Sequence, residues 1–131
     1  MIQKNILILA IAIVVILLSA CNQIEAQKEL VKKISTRAGE LTLKYENGQT
    51  NLSGTLQRST PCMNWAVKVS STKDLPISSV SIDIFDSNKG AICIQVLGEA
   101  QDIKETIAQV SENTEYTIKF EESEVFSGKL E

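Results

Sequence analysis

The chain has no histidine, which removes the commonest general base and the serine or cysteine triads built on it. Ser59-Thr60 and Ser70-Ser71-Thr72 offer hydroxyls with no base beside them, and they read as edge and turn residues. Glu121, Glu122 and Glu124 are oxygen donors of the kind a divalent cation takes, as are Asp83 and Asp86. Their setting reads instead as exposed acidic turns and strand faces. There is no glycine-rich phosphate loop, no Walker-type lysine and no Asp-x-Asp-x-Asp-Gly calcium loop. The expectation is a protein that is not an enzyme, with no catalytic residue, no metal site and no cofactor.

The remaining reactive side chains are Cys21, Cys62 and Cys93. Cys21 follows an apolar run, Ile6 to Leu18, that has Lys4 as the only charge before it. A positive start, an apolar centre of about 7–15 residues and small residues at the end make a secretory signal, and Ser19 and Ala20 are small. At about 1.5 Å rise per residue, this run spans roughly 20 Å, short of a hydrocarbon core of ~30 Å. Leu18-Ser19-Ala20-Cys21 resembles the lipobox of bacterial lipoprotein precursors at each of its positions. That resemblance covers the leader alone. It implies cleavage before Cys21 and diacylglycerol attachment to its thiol, and two acyl chains suffice for stable anchoring. The alternative is an uncleaved helix over 6–21. Lys28, Lys32, Lys33 and Arg37 follow the run, a distribution that disfavours exporting the body behind an uncleaved helix. Both readings place the body outside the cytoplasm, attached to the cell membrane.

If Cys21 carries lipid, Cys62 and Cys93 are left as a pair in an oxidising compartment. They lie 31 residues apart, at or near the starts of strand patterns. A bridge closing such a loop is worth roughly 3–4 kcal/mol on the chain-entropy view. Two small buried thiols or a metal pair are the other readings. Two thiolates without histidine make a poor zinc site.

Removing residues 1–21 leaves enough chain for one domain and one core. Its net charge is −4, which argues against nucleic acid. The charge is uneven, +2 over residues 22–97 and −6 over 98–131, and reads mainly as solvated strand faces and loops.

Residues 22–38 read as a tether, partly helical, because Ile24, Val31 and Ile34 fall near one helical face and Glu29 is spaced to pair with Lys32 and Lys33. From Gly39 the period changes to two. Leu41, Leu43 and Tyr45 alternate with polar residues up to Asn47-Gly48, a strong hairpin signal. Leu52 to Leu56, Trp65 to Val69, Val80 to Ile84, Ile103 with Ile107, Tyr116 to Phe120, and Val125 to Leu130 read as further strands. Ala91 to Leu97 is nearly all apolar and predicts a central strand buried on both faces, with the Gln95 amide satisfied inside it. About eight short strands at intervals of roughly 8–12 residues predict an all-β fold, an antiparallel sandwich over 39–131. Asn51-Leu52-Ser53 meets the glycosylation sequon and is silent in a host that lacks that chemistry.

A cysteine pair with Trp65 resembles immunoglobulin-like domains in architecture, although Trp65 stands three residues after the first cysteine rather than midway between the two. With no chemistry to place, the expected function is a non-catalytic binding or interaction module. It would be held on the membrane through Cys21 or the 6–21 helix and present loops or an edge to an envelope or extracellular protein. A small protease inhibitor of immunoglobulin-like fold is the alternative. The chain is similar in size to chagasin-like inhibitors but lacks their Asn-Pro-Thr-Thr-Gly-type loop. A carbohydrate-binding module is disfavoured because the few aromatics sit mostly in core phase.

Overall fold

The computed structural model describes residues 2–21 and 29–131. The leader forms one helix, α1 (Ile2–Cys21), followed by eight strands. These are β1 (Leu30–Thr36), β2 (Gly39–Glu46), β3 (Gln49–Leu56), β4 (Trp65–Ser71), β5 (Ile77–Asp86), β6 (Gln101–Ile107), β7 (Val110–Phe120) and β8 (Ser123–Lys129). Among the described residues no helix is long and apolar enough to cross a membrane.

The strands make two four-stranded sheets, ordered β1-β2-β3-β6 and β4-β5-β7-β8. Period two explains why they face each other. Leu41, Leu43, Leu52 and Leu56 of the first sheet, and Val80, Ile82, Ile84 and Ile118 of the second, are buried in a shared core. Their sequence neighbours point outward. The fold is the expected all-β sandwich, antiparallel except at β5 and β7, which pair in parallel. That exception arises because β6, between them in sequence, crosses to the other sheet and pairs with β3.

Two strands differ from the sequence reading. Residues 30–36, whose spacing predicts part of a helical tether, form β1 and pair with β2 along its length. Glu29 accordingly meets Lys44 of β2 at 3.3 Å rather than Lys32 or Lys33. That hydrogen bond, and then the charge behind it, raises the Lys44 pKa. The rest of the expected tether, 22–28, lies outside the described residues. Residues 91–97, whose apolar run predicts a central buried strand, form no strand and lie mostly exposed, Gln95 included. The place a central strand would fill beside β5 is taken by β7. Eight strands are therefore present as expected, with β1 standing in for the 91–97 segment.

The sandwich has two poles. At one, β1 begins at Leu30 opposite Tyr45, beside the Asn47-Gly48 turn, where Gly48 accepts a hydrogen bond from the Val110 amide. Asn47 and Gly48 both have positive φ, 53° and 77°, as a two-residue hairpin requires. At the other pole lie the end of β3, the starts of β4 and β6, the end of β5 and the β7–β8 turn.

Candidate functional site

The pole remote from Leu30 gathers the features that need an explanation beyond packing. Two loops meet there, 57–64 between β3 and β4, and 87–100 between β5 and β6. Cys62 and Cys93 join them in a disulfide. The bridge therefore ties loop to loop, rather than strand to strand as their place in the sequence pattern predicts. Trp65 does not pack on a bridge between the sheets. Its ring lies 4.8 Å from that of Phe120, and its indole N–H donates to the Gln57 carbonyl at 3.1 Å.

Polar side chains hold the same loops at both ends. The Asp86 carboxylate accepts from the amides of Asn64 (3.1 Å) and Asn88 (3.0 Å). Asn88 donates through its side chain to the Cys62 carbonyl at 2.9 Å, and the Ser87 amide donates to the Asn64 carbonyl at 2.9 Å. On the far side of the disulfide, Gln57 donates to the Gly98 carbonyl and Arg58 to the Glu99 carbonyl, both at 2.6 Å. Gly98 lies so close to the 58–60 backbone that an added Cβ would collide with the Thr60 carbonyl oxygen.

Gln101 completes the frame. Its amide accepts from the Trp65 N–H at 2.9 Å and donates to the Trp65 carbonyl at 2.8 Å, so one side chain supplies the ladder bonds that β4 lacks on its open edge.

Between these fixed ends the loop displays its apolar residues. Ile92 is fully exposed, Ile94 69%, Val96 52% and Leu97 78% exposed. Four aliphatic side chains within six residues, turned to solvent from a loop held at both ends, are an exposed patch of the kind that marks interaction surfaces. The sequence reading missed them because it placed this run in the core.

On the outer face of the second sheet, a cleft of about 870 Å³ is lined by Met63, Lys68, Asp83, Phe85, Lys89 and Lys119, with Glu121 and Glu122 of the β7–β8 turn. Phe85, one of its lining residues, is 40% exposed. Glu121 pairs with Arg37 of the β1–β2 turn, donated to at 2.6 Å by the guanidinium Nε. Asp83 stands in register between Lys68 and Lys119.

The other sequence candidates are scattered. Ser59 and Thr60 belong to the 57–64 loop, Ser70 and Ser71 end β4, and Thr72 accepts hydrogen bonds from the amides of Ser78 and Ser79. Among the described residues no group of three or more His, Cys, Asp or Glu side chains could hold a metal ion. The Asn51 side-chain oxygen accepts from the Thr106 hydroxyl at 2.7 Å in mid-sheet. Cys21 ends α1. No protein-family model, no curated protein and no solved structure matches this chain.

Proposed function

We propose that this protein is a membrane-anchored, extracytoplasmic lipoprotein whose β-sandwich acts as a non-catalytic binding module. In this reading the leader is cleaved before Cys21, and the thiol carries the lipid. The 22–29 segment joins the anchor to Leu30, at the pole opposite the clamped loop. The observation that carries the reading is the set of exposed aliphatics, Ile92, Ile94, Val96 and Leu97, fixed by a disulfide and by the Asp86 and Gly98 contacts. A loop already held in place loses little conformational freedom on docking, which favours affinity.

Two experiments test it. In Cys21→Ser, the expected outcome is loss of processing and of membrane retention. Unchanged mass and retention would assign the anchor to the uncleaved helix. A benzoyl-phenylalanine at Ile94 in intact cells is expected to give a discrete protein adduct, while one at Ser81 on the outer sheet face is not. Absence of any adduct at Ile94 would overturn the binding reading. The same clamped loop also favours a second reading, a protease inhibitor that inserts a rigid segment into an enzyme cleft. Inhibition of papain-like proteases by the full chain, lost in Ile94→Asp, would select it.

A further inference from the structure

We infer that the occupant of the clamped loop is a second copy of this chain, paired pole to pole side by side on one membrane. The inference rests on the binding-module reading and names its partner. Three observations point to it.

The first is area. From their fractional exposures, Ile92, Ile94, Val96 and Leu97 present on the order of 500 Å² of surface, most of it aliphatic, at the upper end of what a monomer normally leaves open. Two such patches in contact bury about 1,000 Å², the lower bound for a specific interface. Aliphatic surface is its own complement, as an isologous contact requires. A weak pairing of this size suits molecules confined to a membrane, where anchoring raises the effective concentration.

The second is charge. The chain is acidic overall, and residues 98–131 carry 9 acids against 3 bases. At the clamped pole the signs are mixed. Lys68, Lys89 and Lys119 line the cleft and form no ion pair within the described residues. Asp83 and Glu122 line it too, while Glu121 is taken by Arg37 and Asp86 by backbone amides. A surface with unpaired cations and anions together can face its own image without net repulsion. Lys89 belongs to the same 87–100 loop as the apolar residues, and Met63 follows Cys62, which the disulfide ties to that loop, so the cleft borders the clamped pole.

The third is reach, which disfavours the anchoring bilayer as the occupant. The eight residues 22–29 span at most about 28 Å when fully stretched. β1 alone, with 7 residues, runs about 23 Å from the tethered pole towards the clamped one. To lay the loop on that bilayer, the tether would have to run extended along the whole sandwich.

The test uses the full-length chain in phosphatidylcholine vesicles, with benzoyl-phenylalanine at Ile94. Irradiation should give an adduct of twice the chain mass, with the crosslink mapping to residues 91–97 or to the cleft. Ile92→Asp with Val96→Asp should reduce that adduct at least tenfold without moving the thermal midpoint, since both side chains are exposed. Adducts to lipid, or no adduct at all, would overturn the inference. In intact cells, an Ile94 adduct to a different protein would overturn the pairing while leaving the binding-module reading in place.

Discussion

Tyr116 and Thr50 are both fully buried and meet through their hydroxyls at 2.6 Å across the core, one from each sheet. Burial pushes the Tyr116 phenol above its ordinary value of 10.0, and the Thr50 hydrogen bond offsets this only in part. The phenol therefore ionises more readily in the unfolded chain than in the folded one. Its contribution to stability is fully present below pH 10 and is lost as pH rises through the folded value. Urea unfolding followed from pH 7 into the alkaline range should show that loss. Tyr116→Phe leaves the Thr50 hydroxyl buried without its partner, which should cost about 1–2 kcal/mol at pH 7. The same variant should flatten the alkaline limb, and an unchanged limb would show that another group titrates there.

Among the elements, two hairpin turns have the same geometry and different residues. Asn47-Gly48 between β2 and β3 adopts φ of 53° and 77°, while Glu121-Glu122 between β7 and β8 adopts 49° and 68°. The first pair suits that conformation, and the second does not, because a Cβ in the left-handed region crowds the carbonyl that follows. Glu122→Gly should therefore stabilise the domain by about 0.5–1 kcal/mol, the relief of strain being reduced by the extra freedom of glycine in the unfolded chain. Thermal melting checks this, and a fall in the midpoint would mean that the Glu122 side chain holds the turn. Period-two alternation made β2, β3, β5 and β7 legible, because each has one face in the core. β1 was not legible for a simple reason. Leu30 and Ile34 are four residues apart, a spacing that puts two side chains on one face of a helix and equally on one face of a strand. Only pairing with β2 decides between them.

At the scale of the molecule, the disulfide closes a 31-residue separation and fixes the two loops of the clamped pole. Replacing Cys62 and Cys93 together by serine should lower stability by roughly 3–4 kcal/mol in urea unfolding. It should also raise hydrogen exchange across 87–100 more than across β2 or β5, since the hydrogen bonds of Asp86, Gln57 and Arg58 would then hold that loop alone. Uniform exchange changes would place the bridge's effect in global stability rather than in loop order. The sequence by itself determined that the body is a β-sandwich, and with Cys21 set aside it pointed to Cys62 and Cys93 as a pair. Those conclusions depend on composition, parity and local alternation, which the chain carries wherever it folds. Tertiary structure decided the fate of the apolar run from Ala91 to Leu97. A run without alternation is compatible with burial on two faces or with exposure on a held loop. The outcome turned on whether a place beside β5 remained open, and β7, distant in sequence, had filled it.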